Sequence, residues 1–336
     1  MDVKSLEVWY QKDHRKLPFR ETKNPYIIWI SEIMLQQTQV ESVLPFFVRF
    51  IKKYPTVKDL AFTEEETLQK DVEGLGYYRR FRNMHLAAKK IMSDYQGIFP
   101  NKYKELIELP GIGKYTAGAI MSIAYNMPFS ALDGNVIRVL SRYLGISDDM
   151  RLEKNRKKLD LINQENIECA TPYIYTQAMM ELGALICKPK NPKCDMCPIQ
   201  EHCFAYTNDQ IESLPVLSKL KEKKIFEYIT LILHTENGYF LRKRDEELLK
   251  NMYEYPQFEA ESIYSVLSEL ENQDVSIELL DSRQLNYQHV FTHQIWKINV
   301  YHVKVLSGKL DDWILVEKQR IKDIPMAIAH RKIKLI

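Results

Sequence analysis

Residues 109–119 read LPGIGKYTAGA. Pro110 and the two glycines at Gly111 and Gly113 predict a tight turn between helical stretches, with the second helix opening near Lys114. Glycine leaves successive N–H groups unshielded at a helix start, where unpaired amides and the helix dipole favour an anion. This stretch is expected to seat a phosphate and so to grip a nucleic-acid strand by its backbone without reading bases. The plainer alternative is a helical corner with no ligand.

Outward from that string, apolar residues recur at helical spacing: Leu6, Trp9 and Tyr10; Ile27, Ile30, Ile33 and Met34; Leu86, Ile91 and Tyr95; Ala117, Ile120, Met121 and Ala124. Asn24-Pro25 predicts a capped helix start, and Gly74, Gly76 and Gly97 punctuate helix ends. Residues 1–213 are expected to be all-α. The stretch 214–224 (LPVLSKLKEKK) separates two periodicities and is expected to be a linker. Beyond it, Phe226–His234, Tyr239–Arg242, Tyr287–Phe291 and Ile295–Val305 are rich in β-branched and aromatic residues, with a hairpin turn expected at Asn237-Gly238 and a helix over Ser262–Asn272. Residues 225–336 are therefore expected to be α+β.

The chain has 336 residues, 45% hydrophobic and 27% charged, which suits two folded domains and excludes a disordered chain. Its net charge of +2 means that any nucleic-acid footprint must be local. No apolar run approaches the roughly 18 residues of a membrane helix, and Met1–Tyr10 lacks the layout of a secretory signal, so a soluble intracellular protein is expected. Of the 5 cysteines, Cys187, Cys194, Cys197 and Cys203 stand as C-x6-C-x2-C-x5-C. Clustered thiols without an export signal suggest a metal, and four thiolates suit either tetrahedral zinc or an iron–sulfur cubane. Lys188, Lys190 and Lys193 lie in the first interval, where a pinned loop could present them to phosphates. Cys169 falls outside the spacing and is expected in the core.

Two acids stand in unusual company. Glu32 lies inside the apolar run YIIWISEIML (26–35), where burial among Ile28, Trp29 and Met34 should raise its pKa. Asp133 stands at the expected start of a helix over Val136–Tyr143, where the helix terminus should favour its ionised form. Taken singly, each has a structural alternative: a surface acid for Glu32 and an N-cap for Asp133.

The hairpin string resembles the helix-hairpin-helix element of DNA glycosylases, and the cysteine spacing resembles the loop that holds a [4Fe-4S] cluster in the endonuclease III and MutY group. SEIMLQQTQV (31–40), GLGYYRRFRN (74–83) and LDGNVIRVL (132–140) complete a pattern similar to the MutY family of adenine DNA glycosylases, in order and spacing, over the whole chain. The resemblance implies a multidomain protein: an all-α helix-hairpin-helix glycosylase domain with an iron–sulfur cluster loop, followed by an α+β Nudix-like domain. It implies base excision repair, with adenine removed from double-stranded DNA opposite 8-oxoguanine or guanine. A cytoplasmic prokaryotic monomer, associated with the nucleoid through DNA and not with membranes, goes with it.

The same resemblance assigns roles. Glu32 would protonate the adenine ring, and Asp133, oriented with help from Asn135, would stabilise the sugar cation. Tyr115 occupies the place of the lysine that attacks the sugar in strand-cutting relatives, which implies base removal with little strand cleavage. Gln37 and Tyr77 would fill the gap left by the extruded base, while Phe19, Arg20, Leu35 and Gln177 would surround it. Gly111 and Gly113, with Arg79, Arg80 and Arg82, would hold phosphates. Phe291, Thr292 and His293 fall where the family probes 8-oxoguanine. The metal-holding box of a working Nudix hydrolase is missing, so recognition without hydrolysis is expected there. The rival readings are a bifunctional endonuclease III type enzyme, a non-enzymatic DNA-binding protein with a zinc site, and a nucleotide pyrophosphohydrolase.

Overall fold

The computed structural model describes residues 1–220, 222–272 and 274–333; the side chains of 281–285 and position 221 of the expected linker lie outside that description. The chain forms two compact units, one of Met1–Phe62 with Asn83–Lys219 and the other of Thr63–Arg82 with Leu220–Ile336. In chain order the helices up to the cysteine loop are α1 (Val3–Asp13), α2 (Pro25–Leu35), α3 (Val40–Lys53), α4 (Val57–Ala61), α5 (Glu65–Asp71), α6 (Arg79–Asp94), α7 (Tyr103–Ile107), α8 (Lys114–Ile123), α9 (Gly134–Leu144), α10 (Glu153–Glu168) and α11 (Pro172–Leu185), with α12 (Phe204–Thr207) just after it. Of these, α5 and the first turn of α6 belong to the second unit.

In the helical unit α11 packs against α1, α8 and α9, and α2 packs against α3 and α8. Leu6 and Tyr10 of α1 meet Val136, Val139 and Leu140 of α9 and Ile174, Met179 and Leu182 of α11 in one core. Helix α2 is buried on nearly every side: Ile28, Trp29, Ile30, Ile33 and Met34 are at most 1% exposed. Each such side chain contributes on the order of 1.5–3 kcal/mol of burial, which lets α2 carry a charged residue at a cost. The cap expected at Asn24 is present; its side chain accepts the Tyr26 N–H at 3.0 Å, and Pro25 opens the helix. Leu86, expected on the buried side of α6, is exposed, while Ile91 is in the core as expected, together with Met84, Ala87 and Ala88. Cys169 is also exposed, not in the core as expected, because it ends α10 beyond the last buried position, Ile167.

The hairpin string forms the expected turn. Gly111 has φ +77°, and a side chain there would come within 2.7 Å of the Asn83 Cβ. Gly118 serves a purpose the turn does not suggest: a Cβ there would strike the Ser130 carbonyl, so it lets α8 press on the segment that leads to α9.

The second unit is built on a mixed sheet of β1 (Lys224–His234), β2 (Gly238–Lys243), β3 (Tyr253–Glu254), β4 (Gln257–Phe258), β5 (Ser276–Val290), β6 (Gln294–Ser307) and β7 (Ile314–Glu317), with α13 (Ile263–Glu271) and α14 (Ile328–Arg331). The order is β3-β2-β1-β6-β5, with β4 paired to β1 and β7 to β2. The central pair β1 and β6 is parallel and the remaining pairs are antiparallel. Alternation along β1 sends Ile229, Leu231 and Leu233 to the core under α13, and Ile232 to the core with Trp296, Ile298, Ile324 and Ala329. A β1–β2 hairpin stands where expected, but Gly238 is the first residue of β2 and lies against the Val316 carbonyl of β7. Close backbone approach, not turn geometry, requires glycine there. Thr63–Arg82 joins this unit through Asn251 to Glu65 (2.8 Å) and Arg331 to Glu73 (2.6 Å).

Candidate active site and cysteine loop

A cavity of about 650 Å³ in the helical unit is lined by Arg20, Glu32, Leu35, Gln37, Tyr115, Asp133, Asn135 and Gln177. The structure thus brings together these eight expected residues, and Phe19 with them, drawn from α2, α8, α9, α11 and their flanks. Glu32 is 6% exposed, and burial pushes its carboxyl up to about 7. Tyr115, in the first turn of α8, donates its O–H to Glu32 Oε2 at 2.6 Å and opposes that rise, while the charge of Asp133 adds to it. Burial and the neighbouring carboxyls hold the Tyr115 phenol far above its ordinary value, so it remains a donor.

Asp133 is the N-cap of α9: Oδ1 accepts the Val136 N–H at 2.7 Å and Oδ2 accepts the Asn135 amide at 2.9 Å. These bonds favour the anion, as the sequence suggested, but burial is the larger effect and the carboxyl titrates above its ordinary value. Expectation and structure differ because the expectation weighed the helix terminus and not the burial of the carboxyl.

Sequence reasoning missed the groups that hold this arrangement. Arg138 donates to Asn135 Oδ1 at 2.8 Å, to the Gly183 carbonyl at 2.7 Å and to the Cys187 carbonyl at 2.7 Å. Asn135 rests on Gly183, where any Cβ would come within 2.6 Å of the Asn135 Cβ. Glu181, fully buried, faces Arg15 at 2.8 Å and Arg20 at 2.5 Å. Burial alone would raise the Glu181 carboxyl, but the two guanidiniums reverse this and hold it low. The signal for the α9 arginines was available: Arg138 and Arg142 are four apart and share one helix face.

The four expected cysteine ligands line one small cavity with Arg142 and form no disulfide. Buried Arg142 donates to the carbonyls of Leu214 (2.9 Å), Lys188 (2.7 Å) and Pro189 (3.0 Å), closing the loop around the thiols. Burial, with the neighbouring thiols adding, pushes Cys197 up to about 12, so four thiolates here require a cationic centre to hold them. Among the described residues no group of three or more His, Cys, Asp or Glu side chains is placed to hold a metal ion; the thiols surround a space instead. The donor set and the cradle fit a cluster of iron and sulfide.

Tyr77, Phe291, Thr292 and His293 line a different cavity, of about 640 Å³, within the second unit. The Tyr77 and Thr292 hydroxyls are hydrogen-bonded at 2.9 Å, and Phe291 packs edge-on against Trp296 and His289. Gln37 and Tyr77, expected to act together, stand in separate cavities and share one unusual feature: φ +55° and φ +49°, left-handed backbone at non-glycine residues. Such conformations persist where surrounding structure enforces them, and they cluster at functional positions. Arg79 and Arg82 already face Glu247 at 3.4 and 3.2 Å. Arg80, expected as a phosphate contact, is buried, and its guanidinium is pushed down to about 10 by desolvation.

Residues 30–164 match the HhH-GPD superfamily of base excision DNA repair proteins, 187–203 match the iron–sulfur binding domain of endonuclease III, and 228–335 match the NUDIX domain. Among solved structures, the helical part resembles a thermostable thymine-DNA glycosylase (TM-score 0.56, 30% identity, covering 61% of this chain and 95% of that one). It also resembles endonuclease III trapped as a covalent intermediate with DNA (TM-score 0.53, 26% identity, 62% and 94%). Helices around a glycine hairpin, an acid-lined cavity and an iron–sulfur loop therefore define a DNA glycosylase of base excision repair. Adenine DNA glycosylases of Buchnera aphidicola subsp. Baizongia pistaciae and subsp. Acyrthosiphon pisum are 37% and 39% identical, over 92% and 87% of this chain and 85% and 83% of theirs; the human one is 38% identical over 62% and 40%. The chain belongs to the adenine DNA glycosylase family, and its Nudix-like domain and iron–sulfur loop are part of that membership. No described helix is long and apolar enough to cross a membrane.

Proposed function

We propose that the protein removes adenine paired with 8-oxoguanine, or with guanine, by a monofunctional route in which Glu32 is the general acid and Asp133 the stabilising anion. The observation that carries this reading is a carboxyl of pKa about 7 in the same cavity as a second, hydrogen-bonded carboxyl. Adenine is a poor leaving group as an anion, so its departure needs a proton on the base and negative charge near the electron-poor sugar. Near neutrality Glu32 retains a proton in part of the population. Its Oε2 is occupied by the Tyr115 donor, so the proton is carried and delivered on Oε1. Asp133, fixed by Val136 and Asn135, faces the sugar as charge develops, and Asn135 is a positioning residue. Tyr115 has no amine to form a Schiff base, which supports base removal without strand cleavage.

The target nucleotide must leave the stack to reach this cavity. Gln37 and Tyr77, held in left-handed backbone, are suited to fill the gap, and Arg20, Leu35 and Gln177 to surround the base. The turn amides at Gly111 and Gly113 suit a phosphate. Cys187, Cys194, Cys197 and Cys203 would hold a [4Fe-4S] cluster, whose contribution is to fix the loop that carries Lys188 to the cavity rim. Phe291, Thr292 and His293 would test the opposite base for 8-oxoguanine; the second unit would recognise and not hydrolyse. We take the protein to act as a monomer in the cytoplasm at the nucleoid, with domains at 1–213 and 225–336 joined by 214–224, the stretch 63–82 of the first belonging to the compact unit of the second.

The test is single-turnover cleavage of duplexes carrying adenine opposite 8-oxoguanine, adenine opposite guanine, or thymine glycol. Excision of adenine alone, fastest opposite 8-oxoguanine, is expected; release of thymine glycol instead would overturn the reading. Tyr115→Lys should gain a borohydride-trappable complex with DNA.

A further inference from the structure

A second cavity, of about 320 Å³, adjoins the first within the helical unit. Arg20 and Gln177 line both, and so form the partition between two compartments. The remaining walls set three aromatic rings, Tyr10, His14 and Tyr173, among polar and charged side chains that include Glu21 and Lys23. Tyr10 and His14 stack with ring centroids 4.5 Å apart and planes 20° from parallel, and the Lys23 ammonium stands 4.7 Å above the Tyr173 ring. These contacts cover one face of His14 and one of Tyr173, and a flat heteroaromatic molecule would stack on the opposite face of either, with an amide and a guanidinium at the partition to bond its ring nitrogens. The volume is at the small end for ligand sites and suits a single nucleobase.

The two halves of the partition differ in mobility. Arg20 is pinned by the buried carboxylate of Glu181 at 2.5 Å. Gln177 is tethered by one neutral hydrogen bond, Nε2 to the Tyr173 carbonyl at 3.1 Å, whose release costs on the order of 1 kcal/mol. The acceptor of that bond belongs to a wall residue of the second compartment, so displacing Gln177 opens toward it.

We propose that this compartment is an exit chamber for free adenine. The cleaved base passes Gln177 and is held against Tyr173 and the His14–Tyr10 pair while the abasic strand still covers the mouth of the catalytic cavity. Base and DNA then leave by different routes and in separable steps. This rests on the reading that adenine is cleaved in the first cavity beside Arg20 and Gln177.

Gln11→Trp and Thr22→Trp each add an indole at a residue that lines this second cavity and not the catalytic one. Duplex carrying labelled adenine opposite 8-oxoguanine is mixed with excess enzyme. Acid-quenched samples report total cleavage, and rapid gel filtration reports label still travelling with the protein–DNA complex. Cleavage within twofold of the parent, with release of label slowed by about tenfold or more in both variants, is expected. Release at the parent rate in both variants overturns the exit chamber while leaving the function intact. Absence of cleavage by the parent in quenched samples would overturn the underlying reading and the chamber with it, and the two failures are told apart by the quench alone.

Discussion

Two carboxyls, one in each unit, are both buried and titrate on opposite sides of their ordinary value. Glu32 in the helical unit meets a phenol and another carboxyl, and burial takes it up to about 7. Glu254 in the sheet unit is also driven up by burial, but His330, Arg244 and Arg242 outweigh that and hold it down to about 2. Arg242 lies 2.5 Å away, Arg244 closer still, and Arg244 stacks over the Trp296 ring. Desolvation is common to both regions and prevails only at Glu32. The neighbours decide: cations turn a buried acid into a structural anion, whereas a neutral donor leaves it free to exchange a proton at working pH.

The sharpest way to break this contrast is Glu32→Gln, which keeps shape and burial and removes the proton. Single-turnover adenine release should fall by at least about a thousandfold with the circular dichroism unchanged. Loss of less than tenfold would show that the buried acid is not the proton source. Glu254→Gln should do the reverse. It leaves two guanidiniums facing a neutral amide, at a cost of about 3 kcal/mol or more in urea unfolding, with adenine cleavage at low temperature little altered. An unchanged urea midpoint would mean that the ion network contributes no stability.

Titration separates the two regions by sign. Glu32 binds its proton more tightly folded than unfolded, so stability relative to Glu32→Gln should decline as pH rises from about 4.5 to about 7, by on the order of 3 kcal/mol. Glu254 binds its proton less tightly folded, so its contribution is complete above about 4.5 and fades as pH falls toward 2. Paired unfolding curves of parent and each variant across pH 3 to 8 check both slopes. The smallest effect is expected of Tyr115→Phe. Without the phenol donor the Glu32 pKa rises further, so the alkaline fall of the cleavage rate, centred near pH 7 in the parent, should move to higher pH with the plateau changed severalfold at most. A limb moving downward would contradict the hydrogen bond.

Much of this was legible in order along the chain. Asn24-Pro25 opens α2, Gly111 takes left-handed backbone, and the cysteine spacing encloses a single cavity, because each is a local pattern whose physics acts within a few residues. The features that escaped were long-range. The Tyr115–Glu32 bond spans 83 residues, and Glu181 reaches Arg15 across 166. Nothing in the runs around them marks these partners. β3, β4 and β7 are two to four residues long, too short to show alternation, and exist because β1 and β2 offer them edges. The exposure of Cys169 and the burial of Arg80 depend on which helix face meets a neighbour, a fact settled by packing and not by composition.

Helix α11 constrains any attempt to change base preference. Along a little under two turns it presents Gln177 to the cavity, Glu181 to Arg15 and Arg20, and Gly183 to Asn135, and then delivers the chain to Cys187. A quarter-turn of rotation would disturb all four duties together. Redesign that starts from Gln177 must therefore hold the register of its whole helix, and variants recovered by selection should compensate on α1 and α9, not at the altered position.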